Sequence, residues 1–416
     1  MVRIFQKKES LLTGLSVLIP VIIQLYFMRY VSYNISLDIY GDYVLLLVLV
    51  SGCNLIGMTL VQSSAVRFYH ESSKKREFIG EQAMLVIVSS FLFLPVFIIY
   101  FFMYDEYSIS IGFMLFCYFL FYNILLLAKS MVLQALKREL YLLFVIAEAF
   151  SNFILPLVFF KIWPTLEGLV FGIAMGSFFS ALCVYLLTKR MYISFSKIKY
   201  TNINIYFKYS YPFVFSSMGS WLVSFSDRYF IDWLLSSSAT GTYALLSQFG
   251  GFIAIIGGFI SIYINPLLLS EYQVNRHNTI RKYKKYVVLI LALLIIVSLV
   301  AVTLPNFIYT LLLPESVIFE NGNFMVMAII FFSIATLVLA NFVGNYFILE
   351  KRTKVIVPIW FIAAFLNVVG NFFLIPIYGL YGAALSTLLA YITVCFFFIG
   401  YVILFERSLK IRNMHD

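Results

Sequence analysis

Apolar runs of about twenty residues recur along this chain, separated by short polar segments. A helix rising 1.5 Å per residue needs that length to cross roughly 30 Å of hydrocarbon. Twelve such runs are predicted as membrane spans, at about 11–29, 43–66, 82–103, 109–128, 140–160, 166–187, 211–235, 243–268, 286–304, 324–349, 355–375 and 380–404. The first follows the basic segment Met1–Lys8, as in a signal peptide. No small-residue cleavage site precedes the next apolar run, so it reads as a retained span.

The seventh run breaks the pattern. Tyr211–Leu235 is apolar enough to span, yet it carries Asp227, Arg228 and Asp232, with Arg228 roughly 10 Å of helix from the nearer end. A charge at that depth costs a few kcal/mol and needs a partner or a wet cavity. Ser217, Ser220, Ser224, Arg228 and Asp232 recur at three- and four-residue steps and share one helical face. Asp227 borders that stripe. One reading turns this face towards a water-filled lumen. The other makes Arg228 and Asp232 a structural i,i+4 pair that holds helices together.

Composition agrees with the pattern: 62% of residues are hydrophobic and 12% charged, against roughly 25% charged in soluble domains. The chain is therefore an all-α integral membrane protein, and its length counts spans. The formal charge of +10 is a topology signal, since 26 of the 29 Lys and Arg residues fall on alternate loops. Positive charge stays in the cytoplasm, which predicts both termini there and gives no reason to invoke nucleic acid. Cys53, Cys117, Cys183 and Cys395 lie within spans, and His70, His277 and His415 lack metal-ligand spacing. Neither a nucleophile–base pair nor a P-loop is present. No catalytic residue, metal or cofactor is expected, and an ATP-driven pump in one chain is excluded.

The chain also repeats. Arg29-Tyr30 leads to Gly41-Asp42-Tyr43 and a new span, and Arg228-Tyr229 leads to Gly241-Thr242-Tyr243 and a new span. Ser151-Asn152 precedes a Pro-containing turn and GLVFGIAMGS, as Leu366-Asn367 precedes another and GLYGAALST. Two six-span halves follow, residues 1–187 and 211–416, joined by a basic linker at 188–210. Halves with an even number of spans share orientation, which makes a parallel repeat with a substrate site between them. Polar residues concentrate in the first two spans of each half: Gln24 in span 1, Asn54 and Gln62 in span 2, Ser224 in span 7 and Gln248 in span 8. Taken singly, such residues serve helix packing; as a set of four helices, they outline a cavity. Spans 3 and 9 are almost wholly apolar and are expected to face lipid.

SDRYFIDWLLSSSATGTYALLSQFG in spans 7 and 8, INPLLLSEYQ ending span 8, and LNVVGNFFLIPIYGLYGAALSTLLAY in spans 11 and 12 carry a resemblance. They resemble the Wzx-type polysaccharide flippases of the multidrug, oligosaccharidyl-lipid and polysaccharide exporter superfamily. That resemblance implies a V-shaped, pseudo-symmetric bundle of twelve helices with a central cavity lined by spans 1, 2, 7 and 8. It implies movement of an undecaprenyl-diphosphate-linked oligosaccharide between leaflets of a bacterial plasma membrane, for O-antigen, capsule or exopolysaccharide synthesis. Implied partners are the lipid-linked oligosaccharide, membrane lipids, a polysaccharide polymerase and a chain-length regulator.

Cavity candidates are Arg29, Arg228, Asp227, Asp232, Gln24, Asn54, Ser224 and Gln248. Arg29 and Arg228, matched in the repeats, suit a diphosphate. Glu148, Asp227 and Asp232 are the candidates for ion coupling. Three other readings stay open: a cation-coupled multidrug exporter of the same fold, a polysaccharide polymerase, and a membrane scaffold. The longest external loop, Pro305–Asn323, carries only Glu315 and Glu320 as charges, which argues against the polymerase.

Overall fold

A computed structural model of the chain describes residues 2–69, 71–103, 109–188, 200–350 and 352–415, and among these every regular element is helical. The long helices are α1 (Val2–Asn34), α2 (Leu37–Phe68), α3 (Lys75–Leu92, resumed as Leu94–Met103), α4 (Ile109–Gln134) and α5 (Arg138–Ala149, continued by Phe150–Ile154 and Leu155–Ile162). They are followed by α6 (Leu166–Thr188), α7 (Tyr200–Leu234), α8 (Ser237–Phe259, continued by Ile260–Ile264 and Asn265–Val274) and α9 (Arg276–Thr303). The last three are α10 (Asn323–Leu349), α11 (Ile356–Tyr378) and α12 (Leu380–His415).

Among the described residues, 11 helices are long and apolar enough to cross a membrane. The helix outside that set is α7, which has ample length at 35 residues but carries the charged trio and its serines. Several helices outrun the apolar segments that announced them. Helix α4 takes in Lys129, α7 begins at Tyr200 within the expected linker, and α9 begins at Arg276. Hydropathy marks the part of a helix that meets hydrocarbon, whereas backbone hydrogen bonding continues into the headgroup zone. The rest of the linker, 189–199, lies outside the described residues, as do His70 and Lys351.

In α5 and α8 the helical ladder widens by one residue just before a proline. The Leu155 and Asn265 N–H groups donate to the Phe150 and Ile260 carbonyls, five residues back, and Pro156 and Pro266 follow at once. A proline brings no N–H and crowds the carbonyl four residues behind it, and one wide turn absorbs both effects.

The chain divides into two compact units: Met1–Ile35 with Asp42–Met218, and Ser36–Gly41 with Gly219–Asp416. Each unit uses small residues to bring two helices together. In the first, a Cβ on Gly172 would lie 2.6 Å from the Pro156 Cα, and the Ser151 hydroxyl reaches across to the Gly176 carbonyl at 2.7 Å. In the second, a Cβ on Gly382 would lie 2.3 Å from the Leu374 carbonyl oxygen. The matched motifs of the repeat therefore perform one task twice, joining α5 to α6 and α11 to α12. Helix α9 leaves Val288, Leu289, Leu291, Ile295, Ile296 and Leu299 exposed, the surface expected of a lipid-facing span. At its first turn Arg276 ties α9 to α10 and α12 through Glu350 at 2.6 Å and Glu406 at 2.9 Å.

Candidate functional site

Asp227 of α7 is buried with 2% of its side chain exposed, and donors converge on it from three helices. One carboxylate oxygen accepts the Arg228 backbone N–H at 2.9 Å and Arg228 Nη1 at 3.1 Å. The other accepts the Tyr243 hydroxyl of α8 at 2.8 Å and the Thr387 hydroxyl of α12 at 3.4 Å. Residues adjacent in a helix do not normally face each other. Here the guanidinium folds back along α7, where Nη1 also donates to the Ser224 carbonyl at 2.9 Å, and it lies 5.1 Å from the Phe225 ring centroid. Asp232 is engaged differently, accepting the Ser237 hydroxyl at 2.7 Å at the turn into α8. The ion pair inside α7 is thus Asp227–Arg228 rather than the i,i+4 pair Arg228–Asp232.

A polar ladder extends from this pair into α11 and α12. The Ser226 hydroxyl donates to Asn367 Oδ1 at 3.0 Å, and Asn371 Nδ2 donates to the same oxygen at 3.2 Å. Asn367 Nδ2 donates to the Ser386 and Thr387 hydroxyls at 3.3 Å each, and Ser386 donates to the Asn367 carbonyl at 2.8 Å. Asn371 Oδ1 is buried and, among the described residues, has no hydrogen-bond partner. Ser224 shares a 2.9 Å hydrogen bond with the Tyr391 hydroxyl. Sequence reasoning selected Ser224, Asp227 and Arg228 but missed Tyr243, Asn367, Asn371, Thr387 and Tyr391 as neighbours of the pair. The available signal was the four-residue step from Asn367 to Asn371, which sets two amides on one face of an otherwise apolar helix.

The other candidates are dispersed. Gln248 of α8 donates to the Tyr40 hydroxyl in the first turn of α2, and its Oε1 is buried without a partner among the described residues. In the first unit Asn54 is buried with Oδ1 likewise unpartnered, and Gln24 is half-buried. Arg29 is exposed, with its guanidinium 5.9 Å from the Tyr33 ring centroid. Glu148 of α5 forms an ion pair with Lys129 of α4 and accepts the Tyr122 hydroxyl at 2.8 Å. Arg29 belongs to the first unit and Arg228 to the second.

Solved structures of several membrane transporters share this architecture. The lipid II flippase MurJ in an inward closed conformation superposes with a TM-score of 0.71 at 13% identity, over 94% of this chain and 87% of that one. An outward-facing multidrug resistance MATE transporter of the MOP superfamily gives 0.68 at 10% identity, over 94% and 93%. A point mutant of the Vibrio cholerae MATE transporter VcmN gives 0.66 at 13% identity, over 97% and 96%. At these identities the likeness establishes the fold, an all-helical membrane bundle of the MATE and MurJ type. No curated protein sequence matches the chain. The family model for polysaccharide biosynthesis proteins matches residues 7–264, more than half of the 416, so the chain belongs to the family of polysaccharide biosynthesis proteins.

Proposed function

We propose that the chain is a flippase that moves a lipid-diphosphate-linked oligosaccharide from the inner to the outer leaflet of a bacterial plasma membrane by alternating access. The undecaprenyl carrier is the one implied by the sequence resemblance, and O-antigen, capsule and exopolysaccharide repeat units are the substrates in view. The observation that carries the reading is the state of Arg228. Its guanidinium lies against the Phe225 and Tyr243 rings, Nη1 donates to Asp227 and the Ser224 carbonyl, and among the described residues Nε and Nη2 make no hydrogen bond. A guanidinium held within a membrane helix with donors to spare is suited to a phosphate, while the lipid tail stays in hydrocarbon. Arg29, Gln24, Asn54, Asp232 and Gln248 are proposed to line the same route.

Asp227 is the favoured ion-coupling residue of the three candidates. It is the most deeply buried of the three, and beside its ion pair with Arg228 it accepts hydroxyls from two other helices, whereas Glu148 is paired with Lys129 and Asp232 accepts Ser237 at a turn. The halves 1–187 and 211–416 are proposed to rock about the linker with both termini cytoplasmic, in concert with a polymerase and a chain-length regulator. A multidrug exporter of the same fold is the second reading, favoured by the buried carboxylate. Cells lacking the chain are expected to accumulate lipid-linked repeat units on the inner leaflet. Normal glycan export together with sensitivity to cationic dyes would instead select the exporter.

A further inference from the structure

The second unit holds a cleft of about 680 Å³ at the end opposite its basic loops. It lies where the turn from α7 to α8, the segment before α10 and the turn from α11 to α12 meet. That volume falls in the range of small-molecule sites, about 300–1,000 Å³. Ser236, Ser238, Glu320, Asn321, Tyr378 and Tyr381 line it above an apolar floor that includes Leu37 and Val326. Three of the four left-handed backbone positions among the described residues are here: Asn321 at φ 52°, Gly322 at φ 74° and Gly379 at φ 58°. Asn321 alone of the three has a Cβ, and its conformation persists where the surroundings enforce it.

The lining chemistry discriminates among ligands. Among the described residues Glu320 is the sole charged residue of the cleft, and no lysine or arginine lines it. A phosphate or an anionic headgroup would meet a carboxylate with no cation to offset it. A polyhydroxylated ligand meets what it needs: a carboxylate that accepts two neighbouring hydroxyls, serine and amide groups for the rest, and exposed tyrosine rings for the apolar face of a sugar. The charge bias puts this end outside the cell.

We propose that this cleft is an outer glycan subsite, holding uncharged sugar units of the translocated headgroup apart from the diphosphate. The proposal rests on the flippase reading, and the experiment separates the two. A photoreactive benzoylphenylalanine replaces Met325, an exposed residue of the cleft, in the full chain in cells that make the surface glycan. After irradiation the purified chain is analysed by mass spectrometry. A sugar-bearing adduct is expected. It should vanish when the first glycosyltransferase of glycan synthesis is deleted, and fall about tenfold with Glu320→Gln through loss of charge-assisted hydrogen bonds. Glu320 is exposed, so this exchange leaves the fold intact. Phospholipid adducts alone, no adduct, or a sugar adduct indifferent to Glu320→Gln overturns the subsite. If cells lacking the chain still accumulate lipid-linked units, the flippase reading survives that loss. If they do not, the flippase reading itself has failed.

Discussion

Gly41 and Gly241 hold matching places in the two repeats, and each sits where the other's helix leaves no room for a side chain. A Cβ on Gly41 would lie 1.9 Å from the Ser237 carbonyl oxygen, and a Cβ on Gly241 would lie 2.2 Å from that of Leu37. Leu37 and Ser237 stand at the same spacing in the chain as the two glycines, so the contact is reciprocal, as a two-fold relation requires. Both obstacles are backbone carbonyls, which cannot swing aside as a side chain can. Gly41→Ala and Gly241→Ala are each expected to lower stability by about 1–3 kcal/mol or more. Because both strain one contact, the double variant should lose less than the sum. Thermal unfolding in detergent measures all three; additive losses would mean that the two glycines act independently.

The sequence was most legible where one physical signal acted alone. Apolar run length located the helices, and the internal repeat singled out the motifs that hold Gly172 and Gly382. Helix ends were misread at Lys129, Tyr200 and Arg276, because hydropathy is blind to helix that continues into the headgroup zone. Asp227 and Arg228 stood out because charge is rare in a span. Their partners Tyr243 and Thr387, and Asn367 bonded in turn to Thr387, did not, since asparagine, threonine and tyrosine are ordinary in membrane helices and only the packing of α8, α11 and α12 gathers them. Glu148 illustrates the same limit. Its own helix offers no cation within a turn of it, and the pairing lysine comes from α4, read as loop.

Lys129 and Glu148 should behave as a structural pair. Lys129→Met leaves a half-buried carboxylate uncompensated and is expected to cost up to about 3 kcal/mol, the low end for a fully buried pair. The double variant Lys129→Met with Glu148→Leu should recover most of that loss, since two apolar groups need no mutual partner. Recovery of melting temperature and of transport in the double variant is the expected result. A stable double variant that no longer responds to the proton or sodium gradient would assign coupling to Glu148.

Coupling is expected to fail at Asp227. Asp227→Asn keeps the size and the acceptor for Tyr243 but removes the charge that Arg228 balances. Translocation by this variant should become insensitive to uncouplers, while Asp232→Asn remains near normal. If Asp227→Asn, Asp232→Asn and Glu148→Gln all transport at the normal rate and still respond to uncouplers, no intramembrane carboxylate of this set couples the cycle.

Topology is testable at two exposed positions. After Cys53, Cys117, Cys183 and Cys395 are replaced, Ser316→Cys is expected to react with an impermeant thiol reagent in intact cells. Asn278→Cys, in the basic first turn of α9, should react only after lysis. The reverse pattern would place the basic loops outside.

Lysine distinguishes the two roles open to Arg29 and Arg228. As a neutraliser of Asp227, Arg228 needs only positive charge, so Arg228→Lys should be nearly silent and Arg228→Ala should lower the amount of folded protein. As a phosphate ligand, it needs the planar fork of donors that an ammonium lacks. Arg228→Lys should then cut translocation at normal expression, by about tenfold or more for the loss of one bidentate charge-assisted bond. Arg29 supplies the control, since it is exposed on α1 and its helix end allows it to snorkel. If Arg29 shares the substrate, Arg29→Lys should reproduce the loss seen with Arg228→Lys, and alanine at either position should abolish export of the lipid-linked glycan. Normal export by both alanine variants would remove the diphosphate from this site.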